Sequence, residues 1–149
     1  AVISVGGSDY VLFESKDKAP QRYRGRQHMV HNAQMTCFAP TPEEMVSAAR
    51  EMIERLNRAM GPTIVVLPGR GFSRPNQKGM PLFVPEGNLA VIEEFQSTLR
   101  PEIPLLLTDL HINDPEFAEL VSSCMCGLLQ GQPPQDVASQ TGWFSDQET

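Results

Sequence analysis

Basic residues are in the minority: 12 Lys and Arg face 18 Asp and Glu, for a formal net charge of -6 at pH 7 and a pI of about 5.0. So acidic a chain lacks the basic face that counterion release requires, which argues against a non-specific DNA or RNA binder. Also missing is any apolar run of about 18 residues, and the N-terminus has no basic region followed by an apolar signal core, so no membrane span is expected. Cysteine is scarce and odd in number, and Cys124-Met125-Cys126 has neither the two-residue gap nor the neighbouring His of a zinc site. No metal is expected, and the reading is a cytoplasmic domain in a reducing compartment. Both common nucleotide signatures are absent: Gly69-Arg70-Gly71 meets Arg74 where the dinucleotide fingerprint has its next glycine, and no Gly-Lys-Ser/Thr occurs. Ser73 lacks the flanking glycines of a nucleophile elbow, so no catalytic residue is assigned.

What is present is the pattern of one ordinary domain. At 149 residues and 40% hydrophobic content, a single core suffices. The clearest helix is expected from Pro42 to Met60, with Thr41 as cap, Glu44 completing a capping box and Gly61-Pro62 as the stop. Its inner face reads Met45, Ala48, Ala49, Met52, Ile53 and Leu56. Ile64–Leu67 and Leu105–Leu107 are continuous apolar runs without alternation, as in strands covered on both sides. Helices are expected over about Pro85–Leu99, with Leu89, Ile92, Phe95 and Leu99 inward, and over about Pro115–Gln130. Further strands are expected at Val2–Val5 and Gln34–Phe38, with Cys37 buried in the latter. The chain opens inside the first of these, as a piece of a longer polypeptide would. The alternation defines an α/β fold: a three-layer, Rossmann-like or flavodoxin-like, mostly parallel sheet with helices on both faces. Residues 1–130 form the ligand-binding domain in this reading. Residues 131–149, with Pro133, Pro134 and the aromatic pair Trp143-Phe144, read as a flexible tail or linker.

In such sheets ligands sit beyond the carboxyl ends of the strands. The connection after Leu67 gathers Arg70, Arg74 and Lys78 without a single acid, and runs for about 18 residues from Pro68 to Pro85. Cations and backbone amides together suit a phosphate or carboxylate. Gly69, Arg70, Gly71 and Ser73 are therefore candidate ligand-binding residues. The loop Thr108–Pro115 leaves the neighbouring strand at the same edge and adds His111, Asn113 and Asp114, where Asp114 or Asn113 is also a natural helix N-cap. A second basic cluster, Arg22, Arg24 and Arg26, offers either a binding patch or ion pairs. His28, His31 and Asn32 are expected at the opposite end of the Gln34–Phe38 strand, far from these loops.

The segments Arg22–Arg26, Val30–Thr36, Thr41–Glu44, Leu56–Pro62, Leu67–Ser73 and His111–Ala118 occur in an order that resembles the family of the tomato mosaic virus resistance protein. The resemblance covers residues 1–130. It implies the C-terminal part of a two-part α/β protein, with an N-terminal half as partner and ATP as a ligand. Where that family continues from the Gly-x-Gly-x-Ser turn toward an aspartate, this chain has Arg74-Pro75-Asn76.

Three function classes follow. The first is a nucleotide- or phosphate-binding domain taking a small anionic ligand, with ATP entering through the resemblance alone. The second is a hydrolase of phosphorylated or acyl substrates using His111 and Asp114, with Ser73 as a further participant. The third is a homo-oligomeric interaction module using exposed apolar surface and the Arg22–Arg26 segment.

Overall fold

A computed structural model describes residues 1–143. Its central sheet is parallel and three-stranded, in the order β1 (Val2–Ile3), β5 (Ile64–Pro68), β6 (Leu105–Thr108). Every residue of β5 is buried, as its unbroken apolar run requires. Val65 and Leu67 pack with Met45, Ala49 and Ile53 of α2 (Pro42–Asn57) and with Val91, Ile92 and Phe95 of α3 (Pro85–Thr98). Ile64 and Val66 enter the opposite cluster, formed with Phe117, Leu120 and Cys124 of α4 (Pro115–Leu129). Successive β5 side chains thus serve two cores, and helices cover both faces.

Helix α2 starts as its sequence requires. Thr41 Oγ1 accepts the Glu44 amide at 3.3 Å, and Glu44 Oε2 accepts the Thr41 amide at 3.0 Å. Two inward assignments fail. Ala48 is exposed, and Leu89 is 56% exposed because the buried stripe of α3 runs through Asn88, Val91, Ile92 and Phe95, one residue out of phase with Leu89.

The expected parallel strand at Gln34–Phe38 belongs to a second sheet. β2 (Val11–Phe13), β4 (Met35–Phe38) and β3 (His28–Asn32) form an antiparallel trio in that order. Only residues 33 and 34 separate β3 from β4, too few for a crossover and right for a hairpin. His28, His31 and Asn32 therefore form the neighbouring strand itself. Between β2 and β3, after a short 3-10 turn at Lys16–Lys18, lies α1 (Gln21–Arg24). Tyr23 of α1 packs on Phe13 and Phe38.

The tail reading also changes. α5 (Pro134–Ser139) buries Val137 and Ala138 in the α4 cluster. Phe144 lies outside the described residues. Among the described residues no helix is long and apolar enough to cross a membrane.

Candidate functional site at the carboxyl edge of the sheet

Three loops leave the carboxyl ends of β1, β5 and β6 and bond to one another. The Gly7 amide donates to Phe72 O (3.2 Å), Gly69 to Thr108 O (2.8 Å), Arg70 to Leu110 O (3.0 Å) and Ile112 to Gly71 O (3.1 Å). Such backbone pairs satisfy polar groups that the approach of the loops would otherwise leave dry. They also consume the amides of Gly69 and Arg70, so positive charge at this edge comes from side chains.

Close approach explains two glycines. A Cβ on Gly69 would lie 2.5 Å from Thr108 O. Gly71 has φ of +142°, and a Cβ there would lie 2.3 Å from Asn76 O and 2.7 Å from the His111 ring.

His111 is buried and fully engaged. Its Nδ1 accepts the Asn113 amide at 3.1 Å, while Nε2 lies 3.1 Å from Ser73 O. A carbonyl only accepts, so Nε2 carries the proton and the ring is the Nε2–H tautomer. Ser73 in turn donates its hydroxyl to Asp9 Oδ2 at 2.8 Å. One chain of hydrogen bonds thus runs from the β1 loop through Ser73 to the β6 loop.

Asp9 is only 1% exposed, and its Oδ1 has no hydrogen-bonding partner among the described residues. Burial raises its carboxyl pKa, opposed chiefly by the Ser73 hydrogen bond. Sequence reasoning missed this residue. The signal was available, because Gly6-Gly7-Ser8-Asp9 follows the expected first strand at the same carboxyl edge as the two loops singled out above.

Asp114 stands at the N-cap position of α4, yet its side chain makes no capping bond there. Instead Oδ2 accepts the His111 amide at 2.8 Å and Arg70 Nη2 at 3.0 Å. Asp109 lies 3.8 Å from Arg70 Nε. Above these residues opens a cavity of about 410 Å³ lined by Gly69, Arg70, Gln77, Lys78, Phe83, Pro85, Asn88, His111 and Asp114. A neighbouring cavity of about 360 Å³ is lined by Arg74, Gln77, His111, Asn113 and Asp114. Gly69, Arg70, His111 and Asp114 thus meet at one cavity and Asn113 at the next, whereas Ser73 and Gly71 support the floor without lining either. Asn88 is held by a mutual side-chain pair with Asn76, at 2.7 and 3.3 Å.

The second basic cluster is occupied elsewhere. Arg26 forms a double hydrogen bond with Glu44, Arg24 donates to Ala19 O and Asp17 O, and Arg22 and Arg26 lie 5.0 and 4.4 Å from the Tyr23 ring centroid. His28 stacks on Phe38 and lines neither cavity. Among the described residues no three His, Cys, Asp or Glu side chains are placed to hold a metal ion. Cys37 and Cys124 are buried free thiols whose pKa values burial raises, and Cys126 is exposed.

The fold and the site define an α/β domain with a polar, partly basic cavity at the carboxyl edge of its parallel sheet. The chain belongs to the family described as "Uncharacterised protein family (UPF0261) C-terminal domain", whose model matches residues 1–129. It is 38% identical over 120 residues to a UPF0261 protein of Rhizobium meliloti, covering 78% of this chain and 30% of that one. A UPF0261 protein of Mesorhizobium japonicum is 33% identical over 122 residues, 80% of this chain and 31% of its own. The ToMV resistance protein Tm-1(GCR237) of Solanum lycopersicum is 33% identical over 121 residues, 78% of this chain and 16% of its own. The chain spans about a third or less of the length of these curated relatives.

Proposed function

We propose that this domain binds a small anionic ligand in the cavity at the carboxyl edge, and that the sheet above is the core of a Rossmann-like fold. The observation that carries the reading is the meeting of Arg70 and His111 from two separate loops at one cavity that also holds Lys78. No acid pairs with Lys78 among the described residues, so its ammonium is available to a guest. At about 410 Å³ the cavity lies in the lower part of the range usual for ligand clefts, roughly 300–1,000 Å³. ATP is a candidate ligand by resemblance alone. In longer relatives the N-terminal part is the natural partner to complete the site.

Isothermal titration with inorganic phosphate, ADP and ATP tests the proposal. Binding at millimolar concentration or tighter, weakened by Lys78→Ala and by Arg70→Ala, is the expected result. No heat with any anion, or affinity indifferent to both substitutions, removes it. The hydrolase alternative requires His111 to surrender one of its two hydrogen bonds before it can act as a base.

A further inference from the structure

The geometry points to a charge filter: Asp114 and Asp109 tune the cavity to singly charged acids, carboxylates or phosphodiesters, and against polyphosphates. The inference rests on the anion-binding reading above and narrows it. Arg70, the cation that most suggests a phosphate, is already held by Asp114 at 3.0 Å and approached by Asp109 at 3.8 Å. His111 brings no charge in the tautomer its two hydrogen bonds impose. Asn88 gives one of its two amide N–H groups to Asn76 and carries no charge. Across this cavity and its neighbour three cations, Arg70, Arg74 and Lys78, face these two carboxylates, which leaves one positive charge uncompensated among the described residues. A guest with one negative charge is matched by that single surplus, between Lys78 and Arg74, and can share the open N–H groups of Arg70. Each further negative charge meets the two carboxylates that neutralise Arg70, and like charges in so small a space repel. Phe83 and Pro85 supply an apolar wall, so the singly charged group would carry a small hydrocarbon or ring.

Asp114 and Asp109 are therefore specificity residues: neither need touch the guest to select its charge. They differ in burden, which makes the test robust. Asp114 also accepts the His111 amide, a bond that Asp114→Asn preserves through its remaining carbonyl oxygen. Asp109 has a side chain 89% exposed and among the described residues pairs only with Arg70, so Asp109→Asn leaves the loop intact.

The experiment is titration calorimetry at low ionic strength with propionate and dimethyl phosphate as singly charged probes, and inorganic phosphate and pyrophosphate as multiply charged ones. The wild-type domain is expected to bind the singly charged pair at least as tightly as pyrophosphate. Each Asp→Asn variant should raise pyrophosphate affinity relative to propionate, about two- to fivefold and more for the half-buried Asp114 than for the exposed Asp109, with the gain fading as salt is added. Wild-type preference for pyrophosphate, or variants that shift all four probes equally, overturns the filter and leaves the anion site standing. Failure of the wild type to bind any of the four, or phosphate, ADP and ATP, overturns the site and the filter together.

Discussion

Replacing Gly71 with alanine should uncouple the three loops, because two separate costs converge on that position. A backbone at φ of +142° strains any residue with a Cβ, by roughly 1–3 kcal/mol. The new methyl would also lie 2.7–2.9 Å from Cδ2 and Nε2 of His111, so the ring must move. Moving it sacrifices the bonds to Ser73 O and from Asn113 N–H, each with a net worth of about 0.5–1.5 kcal/mol, and the Asn76 carbonyl, 2.3 Å from the same methyl, must give way as well. A total near ~4 kcal/mol is expected, a large share of the 5–15 kcal/mol by which folded domains are typically stable. In thermal unfolding that corresponds to a fall of about 8–16 °C for a chain of this size. Gly79 is the internal control. It too has positive φ, +87°, but a Cβ there meets nothing within 4 Å, so Gly79→Ala should cost only the backbone strain, about 1–2 kcal/mol. Urea unfolding of the two variants side by side measures the difference. Equal losses would mean that neither the Asn76 carbonyl nor the His111 ring crowds the Cβ position of Gly71, and the account of the stitched loops would fall.

Glu44 serves both the α2 capping box and the Arg26 pair, so Glu44→Ala should destabilise by about 1–2 kcal/mol in urea unfolding. Arg26 holds the Glu44 carboxyl below its ordinary 4.5, so this contribution is present above that pH and disappears as pH falls through the lower folded value; a wild-type advantage unchanged at the acid end would contradict it. Asp9 runs the other way. Its folded pKa lies above 3.8, so the native state binds the proton more readily, and stability should decline as pH rises from about 3.8 through the folded value; Asp9→Asn should flatten that decline, which denaturation between pH 4 and 7 can read. Of the three cysteines, Cys126 alone should react rapidly with a thiol reagent in the native domain, and all three should react after denaturation, since burial withholds Cys37 and Cys124.

Where several local signals agree, the sequence was legible. Helix α2 had a cap, a proline in its first turn, helical periodicity and a stop, and the structure starts it at the expected residue. β5 declared its burial on both faces by having no polar member until its end. The hairpin of β3 and β4 was hidden because its linking residues, Ala33 and Gln34, carry no turn signature, and because β3 is a half-solvated strand of His, Val and Asn rather than an apolar run. α5 is six residues long with two apolar positions, so its helicity depends on docking against α4, which no local pattern reports. At the site, spacing identified which loops converge, since strand ends share an edge. It could not reveal which polar groups would face one another, because those pairings depend on side-chain placement across loops far apart in sequence.

That distinction explains the division of labour at the edge. Ser73, His111 and Asn113 looked like ligand-binding groups because they are polar and stand on the right loops. The loops, however, approach closely enough to bury part of their own backbone, and every buried donor and acceptor there needs a partner. The short polar groups meet that need first: the Ser73 hydroxyl donates to Asp9, its main-chain carbonyl accepts from His111, and the His111 ring accepts the main-chain amide of Asn113. Long side chains such as Arg70 and Lys78 reach past this layer to the cavity rim. Substitutions of Ser73 and His111, whose side chains take part in these bonds, should therefore change stability and ligand affinity together, because they deform the floor. Lys78, which bears no part of the stitching, should alter affinity alone, and Arg70 should alter it with at most the small loss of an exposed ion pair.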